Sequence, residues 1–200
     1  FCLSRGLGDV YKRQLQIATL PIGVNGGAIG VTFAPGKYQD VAMTGSWARD
    51  LDIDLASIVA WGAQHLITLI EPWEFEELRI TSLAERAKAH GLMWHGLPIK
   101  DGAAPDARLL LPWQSTGPQF AAELLSGSRI VVHCKGGLGR AGTVASMLLI
   151  DTGCAPDGID AIAKVRSVRP GAVETAEQEE FILNWPARRA SSLGVVAMPG

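Results

Sequence analysis

The sequence predicts an α/β domain with a mostly parallel central sheet flanked by helices. Three observations carry this. Short apolar, β-branched runs alternate along the chain with longer segments at helical spacing. Of the 200 residues, 48% are hydrophobic and only 19% charged, which is too apolar for a disordered chain. The length suits one domain with a real core and would cramp two.

Residues 15–24 and 28–33 read as short strands joined at Asn25-Gly26, a hairpin-turn pair. Residues 15–34 carry no charge, but Pro21, Asn25 and four glycines break the run. A spanning helix needs ~20 predominantly apolar residues, so none is expected here. Arg49–Gln64 places Leu51, Leu55, Ile58 and Val59 at helical spacing. His65–Glu71 is an apolar run suited to a buried strand. Glu74–Gly91 sets charges between Leu78, Leu83 and Ala87 and reads as one or two helices stopped at Gly91. Leu92–Ile99 is another strand, entering a loop with Asp101, Gly102, Pro105 and Asp106.

Ser115–Leu125 reads as a helix. Arg129–Cys134, RIVVHC, is the best strand of the chain and runs straight into glycines. Arg140–Asp151 is a strongly apolar helix with Gly153 as its stop. Asp157–Val168 has Ile159, Ile162, Val165 and Val168 at threefold spacing and ends before Pro170. Thr175–Trp185 is the last helix, ended by Pro186. The expected organisation is a single domain over 15–186 and a loosely ordered tail over 187–200.

Residues 1–14 are set apart. The chain opens on Phe1, and Asp9–Gln14 is what the codons GAT GTG TAT AAG AGA CAG encode. That string resembles the transposase adapter end of sequencing libraries, so this stretch is read as a non-native, adapter-derived tail.

With 18 basic and 20 acidic residues the net charge is −2, so no global basic field recruits nucleic acid or an anionic membrane. Cys2, Cys134 and Cys154 form no disulfide framework and no C-x-x-C pair. His65, His90, His95 and His133 lack ligand spacing, and the alternating acids Asp50, Asp52 and Asp54 are followed by Leu55 where a calcium loop wants glycine. No metal and no cofactor are expected. Trp61, Trp73, Trp94 and Trp113 read as core or rim packing. The chain is read as soluble, cytoplasmic and monomeric.

The chemistry concentrates where RIVVHC meets K-G-G-L-G-R. Five residues separate Cys134 from Arg140, three of them glycine, and a helix pattern follows. Such a loop turns backbone N–H groups inward and makes an anion nest at a helix N-terminus. Gly136, Gly137, Gly139 and Gly142 are read as serving that approach of amides to an anion. Arg140 adds charge-assisted hydrogen bonds. The positive field favours the Cys134 thiolate, which then lies beneath a bound phosphate for in-line attack. Gly137-Leu-Gly139-Arg-Ala-Gly142 also matches the dinucleotide fingerprint G-x-G-x-x-G. That reading lacks the strand-end acid ~20 residues on and gives Cys134 no role.

HCKGGLGR, together with PGKYQD, WARDLDIDL, LITLIEPWE, LPIKDGAAPD, VRPGAVET and AEQEEFIL, resembles the cysteine-dependent dual-specificity phosphatases of the kinase-associated phosphatase group, the cyclin-dependent kinase inhibitor-3-like family, in a bacterial version. The resemblance runs from about residue 22 to 185. It implies the cysteine-phosphatase fold, with Cys134 as nucleophile and Arg140 as phosphate-binding arginine. Lys135, Gly136, Gly137, Leu138 and Gly139 become the phosphate loop, and Asp101 the general acid on a mobile loop, with Asp106 as the other candidate. His133 is implied as a loop-bonding residue. Gln178 positions water or, with Thr175, caps a helix.

One departure stands out. The family often has a serine or threonine after the arginine, easing thiolate release. Here the residue is Ala141, with Thr143 two positions on. The resemblance implies hydrolysis of phosphoprotein or small phosphomonoester substrates. Ala141 keeps open a phosphate-binding module with weak turnover. A phosphoinositide substrate fits Lys135 but not Leu138, where a second lysine would stand. Cys154 is read as a packed side chain rather than a resolving partner for Cys134.

Overall fold

The computed structural model describes residues 14–40 and 47–188. The adapter reading of 1–14, together with Cys2, and the tail reading of 187–200 fall almost wholly outside the described residues. The sheet has five strands: β1 (Ala18–Ile22), β2 (Gly27–Thr32), β5 (His65–Thr68), β6 (Met93–Gly96) and β7 (Arg129–His133). Their order is β1-β2-β7-β5-β6. Only the β1–β2 hairpin is antiparallel; the other pairs are parallel. A two-stranded ribbon, β3 (Tyr38–Gln39) with β4 (Trp47–Ala48), was not signalled by the sequence.

β7 is central, and its residues alternate between two apolar clusters as a pleated strand dictates. Ile130 and Val132 join the cluster under α4 (Ala107–Leu125), α5 (Gly139–Asp151), α6 (Gly158–Val168) and α7 (Ala176–Leu183). Val131 joins the cluster under α1 (Leu51–Ala60), α2 (Pro72–Glu77) and α3 (Leu83–Ala89). Helices therefore cover both faces, the arrangement a mostly parallel sheet requires.

Local signals set the helix starts. Asp50, Asp106, Asp157 and Thr175 each sit at an N-cap and accept a hydrogen bond from an N–H of the first turn. Gly153 closes α5 with φ +71°.

The largest departure from the sequence reading is α4, which begins at Ala107 rather than Ser115 and carries Pro112 and Pro118 inside it. An internal proline costs about 3 kcal/mol. Here Leu109, Trp113, Phe120 and Leu124 bury one face against the sheet and offset it. Val59 and Ile159, read as core positions, are instead 40% and 71% exposed. No helix among the described residues is long and apolar enough to cross a membrane.

All thirteen residues of α5 are buried, so its N-terminus is held rigidly against the C-terminal end of β7. In an open, mostly parallel sheet this is where ligands bind.

Candidate active site

The segment from Cys134 to Arg140 bridges β7 and α5. His133 ends the strand, fully buried, in register with Thr68 of β5 and Thr32 of β2. Its Nδ1 lies 3.3 Å from the Cys134 carbonyl, which only accepts, so Nδ1 carries the proton. Nε2 then accepts from Thr68 Oγ1 at 2.8 Å, and Thr68 Oγ1 accepts from Trp94 Nε1 at 2.9 Å. Burial pushes the His133 imidazole down to about 4, aided by the Arg140 charge and opposed by the Cys134 backbone bond. His133 is therefore neutral at pH 7 and spends one nitrogen on the Cys134 carbonyl and the other on Thr68 of β5.

Cys134 is 3% exposed, and its Sγ accepts from the Gly137 amide at 3.2 Å. Gly137 has φ +71°, and a Cβ there would meet the Thr32 carbonyl carbon at 2.4 Å, so only glycine fits. From outside, Arg169 Nε and Nη2 donate to the carbonyls of Gly137 and Gly136, each at 3.0 Å. With these carbonyls held outward, the Gly137 amide faces the thiol, while the Gly139 amide is taken by Glu174. Sequence reasoning gave Arg169 no role, although it stands in the quoted VRPGAVET.

The glycines divide by function. Gly139 has no room for a Cβ because Glu174 and Gln178 press on it, and Gly142 packs on Val173 and Ala172. Gly136 has open space around it. Sterics therefore do not demand glycine at position 136, while at Gly142 the demand comes from packing.

Arg140 is 1% exposed. Glu74, itself fully buried on α2, takes one edge of the guanidinium: Nη1 to Oε2 at 2.5 Å and Nη2 to Oε1 at 2.9 Å. Nη1 also donates to the Ile99 carbonyl at 3.2 Å. The other edge keeps Nε, which has no partner among the described residues, and Asp101 Oδ1 lies 3.0 Å from Nη2. On that edge only Nε is unpaired, and a phosphate would have to share or displace Asp101 at Nη2. Glu74 was read only as one charge of a helix face. Its signal is E-P-W-E, where the Glu74 carboxylate returns to the Glu71 N–H at 2.7 Å.

The two acid-loop aspartates separate cleanly. Asp101 is largely exposed and beside Arg140. Asp106 caps α4 by accepting from Arg108 N at 2.9 Å, and hydrogen bonds from the Arg108 guanidinium hold its carboxyl below the usual carboxylate range. Lys135 points away along α2, with Nζ on both carboxylate oxygens of Glu77 at 2.7 and 2.9 Å. Leu138 precedes the first turn of α5.

Gln178 is buried, accepts from Glu174 N at 3.0 Å and donates Nε2 to the Ala103 carbonyl at 3.3 Å. Thr175 Oγ1 accepts from Gln178 N at 3.3 Å, so helix capping and a link to the acid loop coexist. Glu174 places Oε2 2.7 Å from the Gly139 amide. It follows Val173, a β-branched residue at φ +59°, a strained conformation of the kind that collects at functional sites. Thr143 donates its hydroxyl to the Gly139 carbonyl at 2.9 Å, so it serves the first turn of α5. Cys154 lies past the far end of α5, roughly 20 Å along the helix from the loop. A disulfide needs Cα atoms within about 7 Å, so Cys154 is not a resolving partner, and both described cysteines are free.

A family model described as the Swiss Army Knife protein DSP-PTPase phosphatase domain, PTP-SAK, matches residues 43–182. Cyclin-dependent kinase inhibitor 3 of Rattus norvegicus is 28% identical over 92% of this chain and 85% of its own length. The protein tyrosine phosphatase PRL-1 of Leishmania major is 31% identical over 68% of this chain and 75% of its own. The crystal structure of kinase associated phosphatase with its catalytic-site cysteine replaced by serine gives a TM-score of 0.75 at 23% identity, covering 89% of this chain and 97% of that one. The family match spans the acid loop, the cysteine loop and its arginine, and the chain belongs to the PTP-SAK family of dual-specificity and protein tyrosine phosphatase domains.

Proposed function

We propose that this phosphatase domain hydrolyses phosphoprotein monoesters, phosphotyrosine as well as phosphoserine and phosphothreonine, through a phosphocysteine on Cys134. One observation carries the reading: Cys134 Sγ with the Gly137 amide on it, and the Arg140 guanidinium with its unpaired Nε and the Asp101 carboxyl beside it, lie on the one short segment that enters the N-terminus of α5. The thiolate attacks phosphorus, and the ester P–O bond breaks as protonated Asp101 gives its proton to the leaving oxygen. Water then attacks phosphorus, Asp101 takes its proton, and the P–S bond breaks to return thiolate and inorganic phosphate. Arg140 and the loop amides hold the charge that builds on the phosphoryl oxygens throughout. Asp106 suits the acid role less, since capping α4 and the Arg108 guanidinium keep it ionised.

The position after Arg140 is Ala141, fully buried, and Thr143 is bonded elsewhere. Neither position then supplies a hydroxyl to the departing thiolate, so phosphocysteine hydrolysis is the slow half-reaction. Pre-steady-state hydrolysis of an aryl phosphate then shows a burst, and Ala141→Ser raises steady turnover a few-fold. A linear time course for both proteins removes this assignment.

The test of function compares wild type, Cys134→Ser and Asp101→Ala on an aryl phosphate and on phosphotyrosine and phosphothreonine peptides, with chelator present. Wild type alone is expected to turn over efficiently on both peptide classes. Activity surviving in Cys134→Ser, or lost to the chelator, overturns the mechanism. Stoichiometric phosphopeptide binding without turnover by wild type would favour the binding module that Ala141 suggests. A cytoplasmic monomer belongs to the same reading; light scattering in solution tests the monomer.

A further inference from the structure

The cations around the phosphate loop are mostly spent. Arg140 faces Glu74 and Asp101, and Lys135 faces Glu77. A fourth carboxylate, Glu174, sits on the Gly139 amide. Yet the chemistry adds a thiolate and then a phosphate dianion. Lys37 stands apart in this balance. It lies on the turn before β3, 6% exposed, and no carboxylate pairs with its ammonium among the described residues. Asp54, the buried acid of α1, is taken by Arg49 and by the Gly36 amide at 2.9 Å.

The Lys37 ammonium rests over the Trp47 ring at 4.4 Å and nearer the edge of contact with Phe33 at 5.9 Å. Its turn is tied to the phosphate loop: Ala34 N donates to the Lys135 carbonyl at 3.4 Å, and Lys37 N donates to the Ala34 carbonyl at 3.3 Å. Burial pushes the ammonium below the ordinary lysine range, Lys135 repels it further, and the charge on Cys134 pulls the other way. Leu138 fills the loop position where a second lysine would stand, and this cation arrives from a different element.

We propose that Lys37 is a substrate-binding residue of the phosphate site, the cation that offsets the Cys134 thiolate and then the bound phosphate. The inference rests on Cys134 as nucleophile. The buried ammonium, seated on two aromatic rings in a turn bonded to the Lys135 carbonyl, has no carboxylate among the described residues to cancel its charge, so its field beside the loop is unscreened by a local partner.

Alkylation of Cys134 by iodoacetamide, followed on its own peptide by mass spectrometry, reads the thiolate without turnover. At about pH 6 Lys37→Met is expected to slow alkylation about tenfold, since the thiolate is the reacting form. It should raise KM for an aryl phosphate and weaken inhibition by inorganic phosphate by a similar factor, with kcat within about twofold. Lys37→Arg, which keeps the charge, should stay near wild type. Unchanged alkylation and unchanged phosphate inhibition in Lys37→Met overturn the proposal. So does a loss in Lys37→Arg as large as in Lys37→Met, which would make the role one of packing. Activity persisting in Cys134→Ser would instead fail the nucleophile assignment, whatever the Lys37 variants do to alkylation.

Discussion

The phosphate loop and the acid loop face each other across one site and are held in opposite ways. Cys134 to Arg140 closes on itself through the Gly137 amide and the sulfur, and it hangs between a central strand and a wholly buried helix. The stretch from Asp101 to Asp106 makes few bonds of its own. It is pinned from a distance: Thr175 Oγ1 donates to the Gly102 carbonyl at 2.9 Å, Gln178 to the Ala103 carbonyl, and Glu177 Oε1 accepts from Ala104 N at 3.0 Å. Arg108 joins its far end to Glu71 at 3.1 Å. The resemblance implied a mobile acid loop; the bonds describe one latched to α7 and α2. Cys134 is thus fixed by local geometry and burial, while Asp101 is placed by contacts that can be loosened one at a time.

Damage should therefore be steep on the first side and graded on the second. Glu74→Ala strands the buried Arg140 guanidinium, and removing one partner of a buried pair costs about 3–5 kcal/mol. A drop of that size in urea-unfolding free energy is expected, and a loss under about 1 kcal/mol would show that Arg140 does not depend on it. On the other side, Asp101→Ala should lower kcat about 10²–10³-fold on poor leaving groups, within the range for general acid catalysis. Asp106→Ala should cost only about 1 kcal/mol of stability as a lost cap. The reverse order would move the acid to Asp106.

Buried His133 marks the first region by pH. Its imidazole accepts a proton near pH 6.5 when unfolded and only near about 4 when folded. The unfolded chain then binds more protons between those values, so stability rises with pH across that window and falls on acidification. The full effect is roughly 3 kcal/mol, and His133→Gln should flatten the profile by about that amount. His65 and His95, also lowered chiefly by burial, leave a residual slope of the same sign. An unchanged profile in the variant would contradict a buried, neutral His133. The smallest expected effect is Arg108→Ala. It releases one of several latches, so kcat should fall by less than the hundredfold that a 1 Å misplacement can bring, with KM unchanged. Equal loss in the Arg108 and Asp101 variants would mean a single anchor instead of a shared one.

Legibility in the sequence follows the same division. The strand RIVVHC, its glycines and Arg140 lie in one short stretch whose residue types state their conformation, and the parallel sheet followed from strand and helix alternation. Glu74 and Arg169 reach the site from 66 and 32 residues away in the chain, and Lys37 from a separate turn before β3, where neither periodicity nor spacing carries information. Asp101 and Asp106 differ only because Arg108 claims one of them. The start of α4 was missed because Pro112 signals a break, and only tertiary burial of Trp113 and Phe120 overrides it.

The most direct test of the central claim is rapid quenching of wild-type enzyme with an aryl phosphate, followed by mass spectrometry of the peptide holding Cys134. Phosphate should accumulate on Cys134 within the first turnover, because Ala141 leaves its hydrolysis unaided. Phosphate on a different residue, or continued turnover with Cys134 never phosphorylated, would contradict it.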